Sequence, residues 1–166
     1  IDQVRALCEA AGATSVFVTD DPEEGEMFVE ARRQAFPAVQ ARGALLLEDV
    51  GAPVPVLPDL LAAIAEVAEK HGVEIPVVAH AGDGNTHPIV VYDPADPDSE
   101  ERARKAFADV MAAAIALGGT ITGELGVGRA KQAALPDQLG PDVMALNRRV
   151  KEALDPQGIL NPGAVL

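Results

Sequence analysis

The sequence predicts an α+β domain, in which an antiparallel or mixed sheet carries helices packed on one face. Two observations lead there. β-Branched apolar runs alternate with segments of helical period, and two of those runs flank a glycine-rich turn, the signature of a hairpin rather than of a parallel crossover. A two-layer arrangement follows, not a doubly wound one. At 166 residues, 1–166 is read as a single domain long enough to bury a core.

The elements follow in order. Val4, Leu7, Cys8 and Ala11 share one helical face and Gly12 is a stop signal. Thr14–Thr19 is β-branched and reads as a strand. Asp20 and Asp21 precede Pro22, Glu23 and Glu24, which is a helix start with acids in its first turn, and that helix is expected to reach Ala35 before Pro37. Ala44–Val50 is a second strand, and the three prolines of Gly51–Pro58 make a connector or an edge. Helix returns at Asp59 with Leu60, Leu61, Ile64 and Val67 on one face and Gly72 at its end. Ile75–Ala79 and Ile89–Tyr92 are the arms of the hairpin. Asp93–Asp98 is a loop, Ser99 is a cap, and Glu100 to Leu117 is helical. Gly119–Gly128, with four glycines, is a functional loop; a last helix over Asp142–Leu154 precedes an irregular tail, Pro156–Leu166.

Composition narrows the function. Aromatics are 3% of residues, so the core is built from Ala, Val, Leu and Ile. Twenty-six acids against 13 bases leave a net charge of −13, which repels phosphate backbones and anionic bilayers and excludes nucleic acid as a partner. Val110–Gly123 is uncharged but glycine-broken and shorter than the roughly 20 apolar residues of a spanning helix, so no transmembrane segment is expected. One cysteine, Cys8, makes no internal disulfide and no thiolate cluster. The expected setting is soluble and cytoplasmic. The chain opens without a signal peptide, on what reads as the middle of a helix, as a fragment would.

Chemistry concentrates in His80-Ala81-Gly82-Asp83-Gly84-Asn85-Thr86-His87. Two of the three histidines bracket one tight turn, so both imidazoles can leave adjacent strand ends and converge on a metal; two ordinary loop histidines would look the same. Glu124, in Thr122-Gly123-Glu124-Leu125-Gly126-Val127-Gly128, is the candidate third ligand, because its glycine neighbours permit close backbone approach. An exposed loop acid is the plain alternative. Two imidazoles and a carboxylate without thiolate suit Zn²⁺ or Mn²⁺ and leave a coordination position open. Asp83 shapes the turn or supports a histidine. Arg32 and Arg33 close the second helix, where they complement its dipole. In so acidic a chain Arg32 is equally a fork for a substrate carboxylate, and both readings stand.

These segments carry a resemblance. Ala79–Pro88 (AHAGDGNTHP), Gly118–Lys131 (GGTITGELGVGRAK), Leu154–Gly163 (LDPQGILNPG) and Arg32–Ala38 (RRQAFPA) resemble, in order and spacing, motifs of the C-terminal domain of FAD-linked oxidases. This is the branch of the vanillyl-alcohol oxidase superfamily that holds the glycolate oxidase FAD-linked subunit, D-lactate dehydrogenase and D-2-hydroxyglutarate dehydrogenase. The resemblance implies ferredoxin-like elements in the fold. It implies that His80, His87 and Glu124 bind a divalent metal chelating a small 2-hydroxy acid, that Arg32 pairs with the substrate carboxylate, and that Asn85 and Asn161 lie at the flavin. FAD itself would be bound by an N-terminal domain absent from residues 1–166, and other oxidase subunits are possible partners. One departure matters: the family pattern has His, as the base, after the ligand Glu, whereas this chain has Leu125. Leucine takes no proton. A binding module with impaired catalysis is therefore one alternative, and a metal-dependent hydrolase another.

Overall fold

A computed structural model describes all 166 residues. They form two compact units, Ile1–Ala41 and Arg42–Leu166.

The first unit is helical. It contains α1 (Asp2–Ala10), α2 (Pro22–Arg33) and α3 (Ala35–Gln40), and none of the three buries a residue. Asp21 caps α2 by accepting from the N–H groups of Glu23 and Glu24, which is the predicted start. Thr14–Thr19 begins in a bend and pairs with no neighbour, so it is not a strand. β propensity is realised only where a neighbouring strand satisfies the backbone, and this unit contains none. Pro37 does not end the helical region either. It stands in the first turn of α3, where its missing N–H has no intrahelical partner to lose.

The second unit is an antiparallel sheet under two packed helices, α4 (Leu57–His71) and α5 (Pro97–Ala116). Its central strand is β4 (Asn85–Tyr92). β3 (Val77–His80) pairs along one side of β4, and β1 (Ala44–Leu47) and β2 (Val50–Gly51) along the other. β1 and β2 are one line in one register. Leu47 faces Ile89 and Val50 faces Thr86, so Glu48 falls opposite Pro88 and Asp49 opposite His87. Pro88 offers no N–H, which interrupts the ladder at this point. Glu48 N still donates to Pro88 O at 2.8 Å.

Pleat alternation then sorts the side chains. Val90 and Thr86, with Val50 and Leu46 beside them, belong to the face that joins the core. Asn85 and His87 belong to the opposite face. α4 contributes Leu57, Leu60, Ile64 and Val67 to the core, at the spacing read from the sequence. α5 buries Ala103, Ala106, Val110, Met111 and Ala114, and its three alanines let the helices approach. Each fully buried Leu, Ile or Val stabilises the unit by about 1.5–3 kcal/mol.

Several boundaries move. α5 begins at Pro97, capped by Asp96 and not by Ser99, whose hydroxyl instead accepts from Asp93 N. The last helix, α6, spans Leu135–Leu154. Gly140, at φ 74° and ψ 169°, breaks it before Pro141, so the predicted Asp142–Leu154 helix is its second part. No helix is long and apolar enough to cross a membrane.

Candidate functional site

The hairpin builds the first half of the site. His80 faces Asn85 and Val78 faces His87, so His80, Asn85 and His87 all fall on the face turned away from the core. The turn between them is closed by Asp83 N and Gly84 N donating to His80 O, and by Asn85 N donating to Asp83 Oδ1 at 3.0 Å. Asp83 therefore shapes the turn. Gly84 is required there: its φ is +85°, and a Cβ would overlap Ala52 O. The two imidazoles stand edge to face with centroids 5.3 Å apart.

The loop after α5 supplies the rest. Gly51 and Thr120 exchange backbone hydrogen bonds of 2.9 and 2.8 Å, which moors the loop to β2. Gln138 accepts from Ile121 N at 2.7 Å. From this footing the loop brings Glu124 to the histidines, with Oε1 3.4 Å from His80 Nε2 and Oε2 3.4 Å from His87 Nε2. One donor atom from each of the three residues lies within 4.8 Å of the others. Donors on a tetrahedral zinc with bonds of 2.0–2.1 Å stand about 3.3 Å apart, and the two imidazole–carboxylate separations of 3.4 Å match that edge. Beside the triad opens a cleft of about 460 Å³, lined in part by Ala52, Pro53, Asn85, Thr120 and Glu124. Asn85 Oδ1 is buried without a partner at this edge.

The other sequence-derived candidates are placed as follows. Leu125, next to Glu124, is half exposed and offers the site only its backbone N–H. Asn161 lies in the tail at φ 47°, just before contacts that tie the tail to the end of the loop: Arg129 donates to Pro162 O and Val165 N to Gly128 O. Arg32 belongs to the first unit, in the last turn of α2, and is exposed; its neighbour Arg33 pairs with Glu26 and Glu30.

Three residues that sequence reasoning passed over lie beneath the site. Glu48, Asp49 and Lys131 are buried. Asp49 accepts from Gly123 N, Glu124 N and Leu125 N. Burial works against its charge, but these three donors and Lys131 outweigh it and hold the carboxyl below its ordinary value. Lys131 Nζ reaches Glu48 Oε2 at 2.9 Å, Asp49 O at 2.7 Å and Ile121 O at 2.6 Å. Glu48 Oε1 is left without a partner, and burial pushes the Glu48 carboxyl up to about 7 despite Lys131. The signal was available: two adjacent acids interrupt an otherwise apolar strand, Ala44–Val50, and acids in such a place require partners.

Glu48 makes stability pH-dependent. Its folded pKa of about 7 exceeds the ordinary value of 4.5. The folded chain thus holds a proton that the unfolded chain releases, and this contribution, full below pH 4.5, is lost as pH rises through 7. The shift corresponds to roughly 3 kcal/mol. Glu48→Gln is expected to remove this decline, so urea denaturation at pH 5 and pH 8 should show a smaller difference than in the wild type. An identical difference in both proteins would refute the assignment.

Comparison with known proteins agrees with these motifs. Residues 1–165 match the family model for FAD linked oxidases, C-terminal domain. The chain is 38% identical to the glycolate oxidase subunit GlcD of Bacillus subtilis, over 98% of this chain and 35% of that protein. It is 34% identical to the subunit of the same name from Escherichia coli K12, over 98% and 33%. It is also 28% identical to the mitochondrial D-lactate dehydrogenase [cytochrome] of Arabidopsis thaliana, over 98% and 29%. The chain thus spans about a third of the length of these relatives.

Proposed function

Since this chain belongs to the family of C-terminal domains of FAD-linked oxidases, we propose that it is the metal- and substrate-binding part of an oxidoreductase acting on a small 2-hydroxy acid of the glycolate or D-lactate kind. The observation that carries the proposal is the meeting of His80, His87 and Glu124 beside an open cleft. A divalent metal there, zinc or manganese, supplies Lewis acidity toward the substrate hydroxyl, and FAD, held by a separate N-terminal domain, supplies the hydride acceptor.

The chain's own residues divide the remaining work. His80, His87 and Glu124 hold the metal. Arg32 forks onto the substrate carboxylate, the cation an anion needs when approaching a protein of charge −13. Asn85, whose Oδ1 has no partner within the chain, and Asn161 turn to the flavin. In the first unit Phe17, Met27 and Phe28 are more than half exposed, and we assign them to contacts with the FAD-binding domain or with further oxidase subunits. No hydrolytic reading is retained, since the matching family is one of oxidases.

Leu125 favours a second reading, a module that binds the acid but removes its proton poorly. The two separate in the flavoprotein carrying this chain, by anaerobic flavin bleaching with glycolate, D-lactate and their homologues. Leu125→His is expected to speed bleaching by about 100-fold or more, the scale of a positioned base. If the histidine variant still leaves its flavin oxidised with every 2-hydroxy acid, the dehydrogenase reading fails. Arg32→Leu, in the same assay, should raise the KM at least tenfold with a smaller change in kcat. An unchanged KM would confine Arg32 to the helix end.

A further inference from the structure

We propose that Asp49 is the positioning residue of this site, holding the loop Gly123–Leu125 in the one place from which Glu124 faces both imidazoles. The inference rests on the chelating role proposed above for His80, His87 and Glu124.

Glu124 is exposed and its loop is rich in glycine, so nothing in the local sequence fixes where its carboxylate stands. Asp49 supplies what the loop lacks. It sits on the line of β1 and β2, opposite His87, and is fully buried. Its Oδ2 accepts from Gly123 N at 2.9 Å and from Leu125 N at 2.5 Å, and its Oδ1 accepts from Glu124 N at 3.1 Å. Three consecutive N–H groups thus close on one anion, in the manner of a backbone nest. An ionised carboxylate can serve all three because it only accepts; a carboxamide cannot.

The same carboxylate stands behind His87. Its Oδ1 is 3.7 Å from Nδ1, while Nε2, the opposite ring nitrogen, faces Glu124. Asp49 therefore acts on Glu124 through the loop backbone, from a place directly beside His87. Behind it, Lys131 Nζ bonds both Asp49 O and Ile121 O, which ties strand and loop together below the site.

Two variants approach the contact from opposite sides. Asp49→Asn keeps the shape and loses acceptors. Gly123→Ala keeps the carboxylate and pushes the loop off it, because a Cβ there would overlap Asp49 Oδ1 and Asn85 Oδ1. Zinc affinity is measured in the full chain by competition with a chromophoric chelator, and amide hydrogen exchange is followed at Gly123, Glu124 and Leu125. Both variants are expected to exchange faster at these amides and to bind zinc about 10–100-fold more weakly, the range for an outer partner of a metal ligand. Val67→Ala, a core truncation in α4, should lower the melting temperature and leave zinc affinity unchanged. If Asp49→Asn does not fold, Gly123→Ala, on an exposed loop, carries the test. Zinc affinity within twofold of wild type in a folded variant, or unaltered exchange at the three amides, overturns the inference alone. A wild-type chain that takes up no zinc or manganese overturns the chelating role and this inference with it.

Discussion

Lys131→Met is expected to destabilise the second unit by about 3–5 kcal/mol at pH 8, the cost of stranding a buried charge whose partner has been removed. The side chain is 4% exposed and its ammonium is shared among Glu48 Oε2, Asp49 O and Ile121 O. Methionine fills much the same volume, so packing changes little while the Glu48 carboxylate and two backbone carbonyls lose their donor. The loss should be smaller at pH 5, where Glu48, with a pKa of about 7, is already neutral in the fold. Adding Glu48→Gln should recover part of the loss at pH 8, since the stranded charge is then gone. Chemical denaturation of the single and double variants at both pH values checks this. A single variant within 1 kcal/mol of wild type at pH 8 would show that the buried pair is not what holds strand and loop together.

His87→Ala is expected to weaken zinc or manganese uptake by more than about 100-fold, more than the loss of a group that only supports a ligand, because it removes one of the three proposed donors itself. Of the three proposed ligands, His87 is the most firmly placed. It sits within β4, paired with Val78 on one side and opposite Asp49 on the other, and is less exposed than His80. The third histidine is the control. His71 joins α4 to α5 through a 2.7 Å contact between Nε2 and Asp109 Oδ2. His71→Ala should therefore leave metal uptake unchanged. Equal loss in both variants, measured by elemental analysis and chelator competition, would mean that the metal is bound by histidines in general and not by this triad.

The helices and the hairpin were legible because their signals are local. Leu60, Ile64 and Val67 share a helical face wherever the helix docks, and the four residues between His80 and Asn85 set the register that follows. Where the reading missed, a distant partner was decisive. Thr14–Thr19 has strand residues but no strand beside it, and Ser99 has capping chemistry but stands one turn inside a helix begun by Asp96. Glu48, Asp49 and Lys131 escaped notice because polar residues in strands and loops are ordinarily exposed. Only the packed fold buries them.

By itself, then, the sequence determined the pair of imidazoles. Once a four-residue turn joins β3 to β4, the period of two along each strand puts His80 and His87 on the same face. The tertiary structure decided the rest. Glu124 reaches those imidazoles because Asp49, 74 to 76 residues earlier in the chain, gathers the N–H groups of Gly123, Glu124 and Leu125. Pleat and register act between neighbours and are written in residue order; the anchoring of a glycine-rich loop depends on which buried anion the completed sheet presents to it.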